Sequence, residues 1–224
     1  MILTKNLNPQ QIIFIIIASL VGLVIIFLLV FFPLKRKYDR KHYRFNYHKM
    51  LYNIATLDDY YLIYDFKFKT DSSHTATIDE ILIGEKYFYI ITCLYFEGEL
   101  TGKETDSSLI YIPKIGARKY TDNPLLETKK MINALSSITG IDKSMMLGVI
   151  LVNNNCDINV IPETRKDGSA IKDNEKIYYI VKQKNFPKFI KRIESRDIGT
   201  INEEQLARVV KGIDKLNRRK RWKI

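Results

Sequence analysis

Thr77-Ile78-Asp79-Glu80-Ile81-Leu82-Ile83-Gly84, with the run Tyr87 to Tyr95 and the turn Phe96-Glu97-Gly98-Glu99 behind it, decides how the chain folds. An apolar run carrying a carboxylate, a tight Gly84-Glu85-Lys86 turn and a second apolar run predict a β-hairpin. Asp79 gives the first strand an oxygen ligand of the kind a hard cation takes. The second strand offers no carboxylate between Tyr87 and Tyr95.

Upstream of the hairpin, Ile12 to Phe32 contains only Ile, Leu, Val and Phe apart from Ala18, Ser19 and Gly22. At about 1.5 Å per residue such a helix spans roughly 30 Å, the thickness of a bilayer's hydrocarbon core. Phe31-Phe32-Pro33-Leu34 then runs straight into Lys35-Arg36-Lys37 with no small-residue cleavage site, which predicts a retained transmembrane helix over about 12–32 and not a removed signal peptide. Lys5 is the one basic residue before the span, whereas Lys35, Arg36, Lys37, Arg40, Lys41 and Arg44 follow it. That asymmetry predicts a single-pass protein of the cell membrane with its N-terminus outside and its C-terminal portion in the cytoplasm.

The remaining elements follow from periodicity and punctuation. Met50, Leu51, Ile54 and Leu57 give a helix from about Asn46, ended by Asp58-Asp59, and Tyr60 to Lys69 alternates as a strand. Beyond Gly98 the pattern is weaker, with a short strand at Leu109 to Pro113; Asn123 then caps a helix that opens on Pro124 and closes at Gly140. Met146 to Val152 is continuously apolar, as in a central strand covered on both faces, and Ile158 to Ile161 reads as an edge piece. Lys176 to Val181 follows as a strand and Phe186 to Ile193 as a short helix. Thr200 and Glu203 form a capping box for a last helix to about Asn217. The expected organisation is an N-terminal segment 1–33, a basic juxtamembrane linker 34–44, an α/β domain 45–195 and a C-terminal helix with basic tail 196–224.

The net charge of +11 concentrates at two places. One is the juxtamembrane run; the other is Lys215, Arg218, Arg219, Lys220, Arg221 and Lys223 with Trp222. Residues 45–213 carry equal numbers of acidic and basic side chains. A neutral middle argues against an extended phosphate-binding face, which needs clustered Lys and Arg. Anionic lipid headgroups are the expected partners of Lys35, Arg36, Lys37, Arg40, Lys41, Arg218, Arg219, Lys220, Arg221 and Lys223, with nucleic acid the alternative and a protein partner open. Cys93 and Cys156 lack metal-type spacing and read as reduced, buried thiols; His42, His48 and His74 are scattered. Richness in Ile, Lys, Asn, Tyr and Phe is the composition of an AT-rich bacterial genome.

Ile78-Asp79-Glu80-Ile81, a second strand ending at Gly98, and Asn123-Pro124-Leu125-Leu126-Glu127 opening a helix ahead of an apolar strand together resemble the nuclease-related domain (NERD) family of the PD-(D/E)XK nuclease superfamily, over about residues 45–195. The resemblance implies a central mixed sheet flanked by helices, placed after the transmembrane helix. It also implies a Mg²⁺ site built from an Asp on one strand and a Glu-x-Lys on the next. Asp79 takes the Asp position, Thr92 that of the Glu and Leu94 that of the Lys, while Glu127 stands where a glutamine is usual.

Thr92 is a weak, neutral ligand and Leu94 can neither carry charge nor orient a water. The expectation is therefore a membrane-anchored cytoplasmic domain that has lost nuclease activity, needs no cofactor and serves as a binding or scaffolding module. The alternative is an active, Mg²⁺-dependent nuclease whose carboxylate has migrated to Glu80, Glu97 or Glu99, with Lys103 nearby. Strand alternation aims Glu80 away from Asp79, and Glu97 and Glu99 lie at or past the turn.

Overall fold

The computed structural model describes residues 9–70, 74–165, 169, 171–172 and 175–216. It divides into two compact units, Met1–Tyr43 and Arg44–Ile224. Helix α1 is continuous over Pro9–Leu57. The sequence pattern predicts a span, a linker and a separate helix there; instead the juxtamembrane residues are themselves helical. No glycine or proline interrupts Leu34 to Leu57, and Lys and Arg are good helix formers. The helix is long and apolar enough to cross a membrane. Its apolar side chains lie exposed, Phe14 at 74% and Leu29 at 69%, as lipid contact requires and water would penalise.

The second unit holds two sheets. β1 (Tyr61–Lys69), β2 (Thr75–Ile83) and β3 (Phe88–Leu94) form an antiparallel meander, and β7 (Met146–Val152) and β9 (Tyr178–Lys182) add to it in parallel. The sheet order is β1-β2-β3-β7-β9. The smaller sheet has the order β6-β5-β4-β8, with β4 (Gly98–Lys103), β5 (Ser108–Pro113), β6 (Lys119–Asp122) and β8 (Cys156–Ile161). Helix α2 (Pro124–Thr139) leads from the small sheet back to β7; α3 (Phe186–Glu194) and α4 (Glu203–Leu216) close the chain.

The hairpin predicted at Gly84 forms, with the Gly84 amide donating to the Tyr87 carbonyl at 3.0 Å. On one face of the large sheet Ile81, Ile83, Phe88, Ile90 and Met146 pack with Ile132 and Leu135 of α2 and with Ile201 and Ile213 at the C-terminal helix. Each fully buried Ile, Leu or Phe there contributes about 1.5–3 kcal/mol of transfer free energy. The α4 cap differs from the predicted one: the Asn202 side chain accepts from the Glu204 amide at 2.9 Å, so Asn202 does what the Thr200 capping box was expected to do. The sequence pattern predicts β5 and β8 of the small sheet but not β4 and β6, which are short, polar strands.

Two glycines fix the path around the small sheet and α2. Gly98 opens β4 at φ 146°, and a Cβ built on it would stand 2.1 Å from the Ile112 carbonyl oxygen, so both conformation and space demand glycine. Gly140 ends α2 at φ 72° with open space around it. Gly98→Ala should therefore cost about 3 kcal/mol or more, because backbone must move, and Gly140→Ala only about 1 kcal/mol. Thermal and denaturant unfolding of the full-length protein in detergent measures both.

Candidate functional site

The β2–β3 ladder runs from Ile83↔Phe88 to Glu80↔Ile91 and stops there. One step further Asp79 faces Thr92, and the Asp79 carboxylate takes over from the backbone: its Oδ2 accepts the Cys93 amide at 2.8 Å. Its Oδ1 lies 3.5 Å from Nη2 of Arg44, a largely exposed guanidinium. An exposed ion pair of that kind is worth at most about 1 kcal/mol, whereas the bond to a buried amide spares a donor whose loss costs about 1–3 kcal/mol. Thr92 Oγ1 sits 3.1 Å from Thr128 Oγ1 on α2. Leu94 packs beside Leu100, Leu125 and Ile150, and its carbonyl accepts the Tyr47 hydroxyl at 3.0 Å.

Asp79 faces Thr92, Leu94 lies two residues further along β3, and Glu127 is not among their contacts. It is exposed in the first turn of α2, and the next residue, buried Thr128, is the one that reaches the strand. Gly148 of β7 makes the approach possible, since a Cβ there would come within 2.8 Å of Thr128 Cγ2. Thr128 and Arg44 were not singled out from sequence. A buried hydroxyl one residue past a capping motif carries no signature of its own, and Arg44 was counted with the charge run preceding it.

The candidate migrated carboxylates are all engaged elsewhere. Glu80 is turned to the α1 side, where its Oε1 meets His48 Nδ1 at 3.0 Å, and His48 stacks edge-on against Tyr64. Glu97 accepts the Tyr95 hydroxyl at 2.8 Å, and Glu99 accepts from the Asn159 amide at 2.8 Å on the small sheet. The Lys103 amide bonds Asp106 at 2.8 Å. Asp65, in β1 near Asp79, has its backbone at φ 47° and lies 3.9 Å from Lys67 Nζ. Among the described residues no three His, Cys, Asp or Glu side chains converge on a metal-binding geometry. The residues present therefore do not fit the Mg²⁺ centre that the superfamily resemblance implies. The Asp79 carboxylate is engaged with the Cys93 amide and with Arg44.

Burial dominates the electrostatics around this hairpin. Burial first, and then the neighbouring Asp79 and Asp65 charges, push the Glu80 carboxyl up to about 8. Burial lowers His48. Both shifts favour a neutral pair in which the Glu80 O–H donates to the imidazole. Cys93, buried beside these carboxylates, is raised well above the usual thiol range and is an inert thiol. An open groove of about 890 Å³ lies between β8, β9 and α3, lined by Glu99, Asp157, Tyr179, Lys182, Lys188 and Arg192 among others. None of Asp79, Thr92, Leu94 and Thr128 borders it.

A mixed sheet flanked by helices, with an aspartate at the end of a hairpin ladder, defines the class: an α/β domain of nuclease-like fold. Residues 44–154 match the family model of the nuclease-related domain. No match was found among curated proteins or among solved structures.

The Glu80 environment has a pH signature. In the unfolded chain the carboxyl titrates near 4.5, and in the folded protein near 8. The folded state holds the proton more tightly, so the favourable contribution is complete below pH 4.5 and is lost progressively until about pH 8. Glu80→Gln keeps the hydrogen bond to His48 without the titration. It should flatten the stability profile across this window and raise stability at pH 8 by a few kcal/mol, read as Tm against pH for the variant and wild type.

Proposed function

We propose that this chain is a single-span membrane protein whose nuclease-related domain acts without catalysis, as a binding or scaffolding module at the cytoplasmic face. The observation that carries the reading is the pairing of Thr92 with Thr128 at the position where the superfamily places its second metal carboxylate. A hydroxyl already engaged with a helix hydroxyl, followed by a leucine packed into the core, supplies neither metal affinity nor a group to orient water. Asp79 has a sufficient structural occupation in the Cys93 amide.

The topology rests on charge. Lys35, Arg36, Lys37, Arg40 and Lys41 all lie exposed on α1 immediately after the apolar stretch, and Tyr38 stacks on His42 at 4.2 Å among them. Cationic side chains with interfacial aromatics suit an anionic headgroup layer, at about 1 kcal/mol per basic residue near the surface. Arg218, Arg219, Lys220, Arg221 and Lys223 lie outside the described residues; the same lipid chemistry is proposed for them from sequence.

Two measurements test the reading. Calorimetric titration of Mg²⁺ or Mn²⁺ into the full-length protein in detergent should give no heat of binding, and Asp79→Ala should leave the trace unchanged. A binding isotherm that vanishes in Asp79→Ala would establish a working metal site and the nuclease alternative. Protease added to sealed right-side-out membrane vesicles should leave residues 44–216 intact and digest them only after permeabilisation. Digestion before permeabilisation would reverse the orientation.

A further inference from the structure

We infer that two copies of this chain pair through β6, in one register, to continue the small sheet across a two-fold axis. Among the described residues β6 is the terminal strand of its sheet, bonded to β5 on one side only. Lys119, Tyr120 and Asp122 are exposed, Tyr120 at 80%, and so is Arg118 just ahead of the strand. A bare edge of this kind is a template for another strand.

The backbone selects which residues would do the pairing. The Asn123 amide donates to the Ser107 carbonyl at 3.1 Å, so at residue 123 the chain's polar groups point toward β5. Direction alternates along a strand, so Thr121 and Lys119 also turn theirs inward and Asp122 and Tyr120 present their N–H and C=O groups outward; extending β6 by one residue in the pairing does the same for Arg118. The same alternation puts these three side chains on one face of the sheet, the face opposite Thr121, which sits across from the buried Leu109.

Symmetry then fixes the register. In an antiparallel pair about a two-fold axis normal to the sheet, facing residues share a face, so a residue can oppose only those an even number of positions away. Centring the axis on Tyr120 sets Tyr120 against Tyr120 of the partner subunit, and Arg118 against Asp122 of the partner subunit, twice over. The outward amides and carbonyls belong to those same three residues. Within one copy, Arg118 and Asp122 are about four strand residues apart, roughly 13 Å, and do not neutralise each other. The sequence Arg-Lys-Tyr-Thr-Asp is thus complementary to itself in this register, in charge and in backbone polarity. Pro124 ends the strand directly afterwards, so the contact is short. A short contact suffices for chains confined to one membrane, where the local concentration of copies is high.

The test uses full-length protein carrying donor or acceptor fluorophores, co-reconstituted in phosphatidylcholine–phosphatidylglycerol vesicles at low protein-to-lipid ratio. Wild type should transfer energy above the level of random co-residence. Arg118→Asp and Asp122→Arg should each reduce association roughly tenfold, because each sets like charges face to face. Mixing the two variants should restore it, since each then meets the opposite charge on the other at both ends. Tyr120→Pro, which removes an outward amide and spares the β5 bonds, should abolish association with the monomer's melting profile retained. Random-level transfer in wild type overturns the proposal. So do single variants that associate like wild type, and a mixture no better than its components.

Discussion

The parallel pairing of β3 with β7 is the constraint on which the second unit, Arg44–Ile224, depends. Seven consecutive residue pairs, from Phe88↔Met146 to Leu94↔Val152, bring together segments more than fifty positions apart. Every residue of β7 is buried, and so are five of the seven in β3. Parallel strands cannot be joined by a tight turn, so the chain between them must make an excursion and return. The small sheet and α2 are that excursion, and the buried faces of β3 and β7 decide what α2 presents inward.

From this pair the second sheet follows. Beyond Leu94 and Val152 both strands break at the same level, and then pair again as β4 and β8, Gly98↔Cys156 onward. The break is pinned by Asn153, whose Oδ1 accepts the Phe96 amide at 2.8 Å. Asn153 is itself 6% exposed, so the bond is made away from competing water. Glycine at 98 lets the β4 backbone pass close to Ile112 just after the break. The small sheet therefore continues the central pair along a bent path, which leaves β6 as the outermost strand of the order β6-β5-β4-β8 among the described residues.

The parts of this fold legible in the sequence are those where one force acts alone. Met146 to Val152 reads as a central strand because only burial on both faces tolerates seven apolar residues in a row. The Asn123-Pro124 start and Gly140 end of α2 are readable because capping is local chemistry, and the structure places all three as expected. β4 and β6 are illegible for the opposite reason: Gly98 to Lys103 and Lys119 to Asp122 are strands only because neighbours pair with them. The continuous α1 is a third case. A helix break was expected where the composition changes from apolar to basic, but hydropathy selects the solvent of a helix and not its backbone geometry.

At the site, the sequence singles out Asp79, Thr92 and Leu94 but not the groups they touch. Asp79 illustrates why a residue's presence at a family position is weak evidence of family chemistry. The ladder between β2 and β3 ends one residue short of it, which leaves the Cys93 amide facing a gap in a buried region. A carboxylate at 79 fills that gap as an acceptor. A fold that keeps this hairpin therefore has a reason to keep an acceptor there whether or not a metal is bound. No such requirement acts on the positions of Thr92 and Leu94. One touches a helix through a hydroxyl and the other a core cluster through methyl groups, and neither contact calls for a carboxylate or a lysine. The contacts of Thr92 and Leu94 place no demand for a carboxylate or a lysine on β3, whereas the sheet itself uses the acceptor that Asp79 supplies on β2.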